Sequence, residues 1–349
     1  MRVALVAPPF IAVPPSRYGG TELFLALLAR GLTALGHEPV VYSIGASHVP
    51  CELRWTYRDA DWPIDDPHRA SLKNLTHSSW AVRDAADHCD VIHVNDVAAL
   101  HFSEFVDVPF VHTLHHPHVD VLSELYSRYR RPHYIAISDF QRRQERLSRC
   151  QTIYHGIDAS QYTFVERKQD YLCFLGRMTP CKAPHLAIEI ARRTGLPLKL
   201  AGEVQPLFAD YWEREVKPHL DGRTIEYVGE ADLQMKNELL GNARALLFPI
   251  QWNEPFGLIM IEAMACGTPV LALAGGSVTE VVGDAGVVCQ SVEEMVDAVR
   301  ALDVPAARCR RRVEMRFSVE RMAREYEKVY ASVAATTRIA AGQALATRL

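Results

Sequence analysis

Short apolar runs alternate with amphipathic stretches along almost the whole chain. Runs at 3–7, 39–43, 91–94, 110–114 and 134–137, rich in Val and Ile, read as strands. Between them, 22–35, 74–88, 119–129 and 139–149 repeat apolar residues at helical spacing. A strand that is apolar at every position is buried on both faces, so these runs predict a parallel sheet with helices on either side. A second set follows, with strands at 171–175, 198–201, 224–228, 245–249 and 270–273. Its helices are expected at 183–194, 207–220, 233–243, 258–266 and 292–302. The polar stretch 159–170 joins the two sets, and no residue repeat of fixed period relates them. Beyond them, Met322, Tyr326, Val329, Tyr330 and Val333 fall on one face of a helix spanning 318–333. The Ala- and Thr-rich tail 335–349 is expected to continue it and fray.

The pattern therefore describes an α/β chain, and a length of 349 residues suits two domains, at about 150 residues each. Composition changes the picture little but removes some classes. With 38 basic against 42 acidic residues the net charge is −4, unlike the strongly basic balance of a general nucleic-acid binder. The eight cysteines are scattered without a C-x-x-C pair, the pattern of free thiols in a reducing compartment. The first apolar run ends at Pro8, too short for a signal peptide, and no long uncharged run exists, so a soluble, cytoplasmic protein is expected. Arg128, Arg130, Arg131, Arg142, Arg143, Arg146 and Arg149 form either a solvated face or a basic surface for weak peripheral contact with anionic lipid.

Candidate chemistry concentrates at strand-to-helix junctions. Gly19 and Gly20 precede a helix, where backbone N–H groups can meet an anion, although a plain turn explains the pair as well. Neither G-x-G-x-x-G nor G-x-x-x-x-G-K-[ST] is present. Arg177 and Lys182 bracket Pro180 after the strand at 171–175, where an open α/β sheet binds ligands. They suit a diphosphate, or equally a solvated loop. Glu254 precedes Pro255 as though in the first turn of a helix, where it could be no more than a cap, and Glu262 lies inside the same apolar helix. Eight residues of helix span about 12 Å, the reach from a sugar across a diphosphate to a ribose. Both acids could then accept hydrogen bonds from ligand hydroxyls, with the helix N-terminus at the phosphates. His112, His115, His116 and His118 fall within one heptad, as a metal site or as structural histidines, but no carboxylate or Cys cluster completes a metal set.

The segment Glu254–Val270, EPFGLIMIEAMACGTPV, closely resembles the signature of the retaining glycosyltransferases of family 4. The resemblance implies a GT-B fold, two Rossmann-like domains facing a central cleft. The implied acceptor-binding domain covers 1–160, completed by the terminal helix 318–349, and the nucleotide-sugar-binding domain covers 161–317. Gly19 and Gly20 match the family's glycine loop, and Arg177 with Lys182 its cationic pair, although Cys181 and Ala183 stand where Glu and Gly are usual. The segment 154–158 resembles its join between domains, with His155 in place of Asn. His115 takes the position that faces the donor sugar, and Ala231 lies in the part that cradles the nucleobase. Phe256, Gly257 and Leu258 form the helix start that meets the diphosphate.

The resemblance thus implies transfer of a sugar from a nucleotide-diphosphate donor, a UDP-sugar first, to an unidentified acceptor, with retention of configuration. Glu254, His115, Arg177 and Lys182 are the implied catalytic groups, with no cofactor and no metal. Domain closure would exclude water. A sugar-nucleotide epimerase or hydrolase on the same fold, and a non-catalytic sugar-nucleotide-binding protein, are the alternatives.

Overall fold

The computed structural model describes residues 1–17 and 19–346. The chain forms two compact units, one of Met1–Gly156 with the C-terminal segment from Val319, the other of Ile157–Ser318. The expected joins lay at 160/161 and 317/318.

The first unit is a seven-stranded parallel sheet, β1 (Arg2–Val6), β2 (Glu38–Ser43), β3 (Glu52–Trp55), β4 (Val91–Val94), β5 (Phe110–Leu114), β6 (His133–Ala136) and β7 (Cys150–Thr152). Its order, β3-β2-β1-β4-β5-β6-β7, reverses between β1 and β4. Helices α1 (Gly20–Ala34), α2 (Pro67–His88), α3 (Val97–Leu100), α4 (Asp120–Arg128) and α5 (Asp139–Gln144) connect the strands. The central strands β1, β4 and β5 are almost wholly buried, as unbroken apolar runs require. The edge strands β3 and β7 carry mixed residues such as Glu52, Arg54 and Gln151 and escaped the pattern. Helix α2 starts earlier than the expected residue 74, at Pro67, where the Asp66 carboxylate accepts from the N–H groups of His68 and Arg69. Helix α5 stops at Gln144, well short of 149.

The second unit contains β8 (Leu172–Leu175), β9 (Leu198–Ala201), β10 (Ile225–Tyr227), β11 (Ala245–Phe248), β12 (Val270–Leu273) and β13 (Gly286–Cys289). All pairs are parallel, in the order β10-β9-β8-β11-β12-β13, with the reversal between β8 and β11. Helix α6 (Pro184–Thr194) follows β8. The helix expected over 207–220 is instead a chain of short turns around α7 (Ala209–Tyr211). Pro218 explains the break near the end of this stretch, because proline lacks the N–H and its ring clashes with the preceding turn. Helices α8 (Leu233–Asn242), α9 (Leu258–Ala265), α10 (Val278–Val282), α11 (Val292–Arg300) and α12 (Ala306–Arg316) complete the unit. The sequence pattern had missed β13, α10 and α12.

The last helix, α13 (Val319–Ala346), returns to the first unit and packs along α1. Gly31 of α1 allows this approach: a Cβ there would lie 2.6 Å from that of Ala323. Met322, Tyr326, Val329 and Tyr330 are buried on the face that the spacing predicts, each contributing about 2 kcal/mol by burial. The helix is also fixed by polar contacts, since His93 Nδ1 and the Tyr330 hydroxyl are 2.7 Å apart and Thr113 Oγ1 and the Tyr326 hydroxyl 2.9 Å. Residues 347–349 of the expected tail lie outside the described residues.

Candidate functional site

Two loops leave the second sheet where its strand order reverses, one after β8 and one after β11. Such reversals open a crevice beyond the carboxyl ends of the strands. The β8 loop carries Arg177 and Lys182, and the β11 loop carries Glu254. A backbone hydrogen bond from Gln251 N–H to the Cys181 carbonyl, 2.8 Å, holds the loops together.

Lys182 reaches across and forms an ion pair with Glu254 Oε2. The Trp252 indole N–H donates to the same oxygen at 2.8 Å. The Lys182 ammonium also lies 4.9 Å from the Trp252 ring centroid and 5.5 Å from that of Phe248, a favourable cation–π arrangement. Glu254 is only 5% exposed, so its charge depends on these donors. Its backbone is backed by Gly276, at φ 60°, where a Cβ would fall 2.2 Å from the Glu254 carbonyl oxygen. The Ser277 N–H donates to that same carbonyl. Neither Trp252 nor the Gly275-Gly276-Ser277 turn had been singled out in the sequence. The run P-I-Q-W-N-E was its available signal for the first.

Glu254 is not in the first turn of a helix, as its place before Pro255 suggested. Helix α9 starts at Leu258, after Gly257 in a left-handed conformation at φ 83°. The first N–H groups of α9 are therefore offered by Leu258 and the residues after it, beyond the Glu254 loop. Phe256 is buried edge-on against Phe317, and its carbonyl accepts from the Ser277 hydroxyl. Ala183, before α6, has φ 54° and is the one non-glycine residue in the left-handed region among the described residues. It stands where the family usually has Gly.

Glu262 lies on α9, 2% exposed, with both oxygens engaged. Lys236 Nζ is 2.9 Å from Oε1 and 3.1 Å from Oε2, and the Tyr162 hydroxyl donates to Oε1 at 3.0 Å. The buried acid thus has the partner that its apolar helix demands, drawn from α8 and from the start of the unit. Burial beside Glu262 holds the Tyr162 phenol well above its usual range. Ala231 is buried just before the Asp232 cap of α8.

The remaining candidates belong to the first unit. Gly19, at φ 143°, packs against Pro15 and the Glu22 carboxylate, and Gly20 opens α1. Burial raises the Glu22 carboxyl to about 7. His115 follows β5, its Nε2 2.9 Å from Asn95 Oδ1. Its ring meets Phe24 edge-on at 5.1 Å and stacks on His155 at 5.7 Å. Burial, with a smaller contribution from the neighbouring His155, lowers its pKa well below 6.5. The four histidines do not converge: His112 packs among Tyr126 and Tyr134, while His118 binds Glu145. Among the described residues no three His, Cys, Asp or Glu side chains form a metal-binding group. Arg128, Arg131 and Arg142 pair with Glu124, Asp107 and Asp139. All eight cysteines are free thiols. No helix among the described residues is long and apolar enough to cross a membrane.

Residues 18–161 match the family model described as Glycosyltransferase Family 4, and residues 159–303 that described as Glycosyl transferases group 1. The glycogen synthase of Mycobacterium tuberculosis is 29% identical, with 89% of this chain and 88% of that protein covered. Among solved structures, a sucrose-phosphate synthase from Thermosynechococcus elongatus superposes with a TM-score of 0.80 at 18% identity, covering 96% of this chain and 99% of the other. Anabaena HepE in complex with UDP and glucose gives 0.73 at 19% identity, covering 95% and 100%.

Proposed function

The chain belongs to glycosyltransferase family 4 and has the GT-B fold, and on that premise we propose that it moves a hexosyl unit from a nucleoside diphosphate sugar to an acceptor hydroxyl with retention of configuration. The observation that carries this reading is the Lys182–Glu254 pair at the strand-order reversal of the second sheet. Breaking the donor's C1–O bond leaves its electron pair on the β-phosphate. Lys182 and Arg177 supply positive charge to that group, and the N–H groups at the start of α9 supply oriented dipoles. Glu254 then accepts from sugar hydroxyls once Lys182 turns to the phosphate. Its Oε1 has no donor among the described residues, and its Oε2 remains pinned by Trp252. Glu262 has one or so lone pairs beyond those taken by Lys236 and Tyr162, enough to accept from a ribose hydroxyl. His115, neutral at pH 7, is the polar ring that the family resemblance assigns to the sugar.

Glu254 is assigned here to the sugar hydroxyls and not to C1. The reaction proposed is therefore attack by the acceptor oxygen on the face that the phosphate leaves, the phosphate oxygen taking the acceptor proton. UDP is the first donor nucleotide to test, supported by the ligands named for HepE. A thermal-shift panel of UDP-, GDP- and ADP-sugars, followed by acceptor screening with the best donor, tests the reading. Stabilisation by no nucleotide sugar would overturn it. Donor consumption with no glycosylated product would point to hydrolysis or epimerisation.

A further inference from the structure

Gln141, on α5, is 2% exposed and uses its side-chain amide in full view of one segment. Its Nε2 donates to the Leu114 carbonyl at 2.9 Å and to the His116 carbonyl at 2.7 Å. Its Oε1 accepts from the Ile137 N–H at 2.8 Å. The backbone pairing of β5 with β6 ends at Leu114 opposite Ala136. One residue later the Gln141 amide is inserted where the two strands part, bonding the end of one to the start of the other's loop. The two carbonyls that it holds flank a single residue, His115.

The ring of that residue is fixed independently. Asn95 Nδ2 donates to the Val6 carbonyl at 3.3 Å, which turns Asn95 Oδ1 towards His115 Nε2. Nε2 must then carry the proton, leaving Nδ1 as the acceptor. A ring hydrogen bond selects a tautomer only if the backbone beneath it is stationary, and the turn at 115–116 lies outside the sheet ladder.

We propose that Gln141 is a positioning residue for His115: its amide clamps the carbonyls on either side and so keeps the imidazole in the Nε2–H form against Asn95. The inference rests on the role given to His115 above. Gln141 touches no reacting atom, and its effect passes through the histidine backbone.

The test uses the full chain with 15N-labelled histidine, the His115 ring signals being identified by their loss in His115→Asn. In the unaltered chain His115 gives the neutral Nε2–H pattern. Gln141→Met, which keeps the length but loses both donors, shifts His115 towards a tautomer mixture while the buried His93 is unchanged. Turnover falls about tenfold or more with donor KM within about twofold. Gln141→Glu regains part of the loss as pH falls towards 5, because only the protonated carboxyl can donate to a carbonyl. An unchanged His115 ring pattern in Gln141→Met overturns the proposal. If that variant does not fold, a turnover of Gln141→Glu that is independent of pH overturns it equally. Full activity in His115→Asn would instead sink the role of His115, while the ring signals of the Gln141 variants would still report whether the clamp exists.

Discussion

Lys182 and Glu254, 72 residues apart in the chain, neutralise one another at the carboxyl edge of the second sheet. On the proposed reaction, a donor diphosphate would draw Lys182 from a carboxylate that Trp252 goes on holding. If both residues act on the donor as proposed, Glu254→Gln and Lys182→Ala should each lower turnover at least tenfold. Circular dichroism should show the fold retained in both. Wild-type kcat in either variant would remove the site assignment.

Glu262 depends on Lys236 in a different way. Lys236→Met leaves a nearly buried carboxylate with only the Tyr162 hydroxyl, at a cost of about 2–4 kcal/mol. The orphaned carboxyl should bind a proton more tightly than in the unfolded chain, so the deficit should shrink as pH falls from 7 to 5. Urea unfolding at the two pH values reads this directly. A deficit that does not change with pH would mean that Glu262 had found another donor.

Ala183 occupies a left-handed conformation before α6. That conformation costs an L-residue about 1–2 kcal/mol, against about 0.4–1 kcal/mol of unfolded-chain entropy gained by glycine. A further loss of about 0.8 kcal/mol goes with the fully buried methyl, so Ala183→Gly is expected to be close to neutral, seen as an unchanged urea midpoint and slope. A lower midpoint would show that the entropy and the lost methyl outweigh the relieved strain.

Burial lowers His93 and His112 to about 3 and His77 to about 4. These groups stay neutral in the fold but take up protons in the unfolded chain below its pKa near 6.5. Their contribution is complete above that value and is lost as pH falls from about 6.5 towards 4. Replacing His112, whose Nδ1 has no hydrogen-bond partner among the described residues, by Phe should flatten the decline. Equal slopes for variant and wild type between pH 6.5 and 4.5 would refute the assignment.

If Lys182, Arg177 and the start of α9 carry the leaving-group charge, activity should persist in EDTA. Complete loss, restored by a divalent cation, would place that charge on a metal instead.

The central strands and most helices were legible because burial on two faces, or on one, writes a period into the residues themselves. The spacing of Glu254 and Glu262 was equally local, as was the apolar face of α13. Edge strands β3 and β7 were not, since a half-exposed strand needs no unbroken apolar run. Polar partnerships were hidden for a further reason. Chain order says that Glu262 needs a donor, but only the packing of α8 and α9 supplies Lys236, and only the path of 157–162 brings Tyr162. Gln141 reads as an ordinary polar residue on a short helix until the parting of β5 and β6 gives its amide three partners. Residue periodicity records which surface each element buries. Which side chains meet beyond the strand ends depends on strand order, and that is decided only when the sheet assembles.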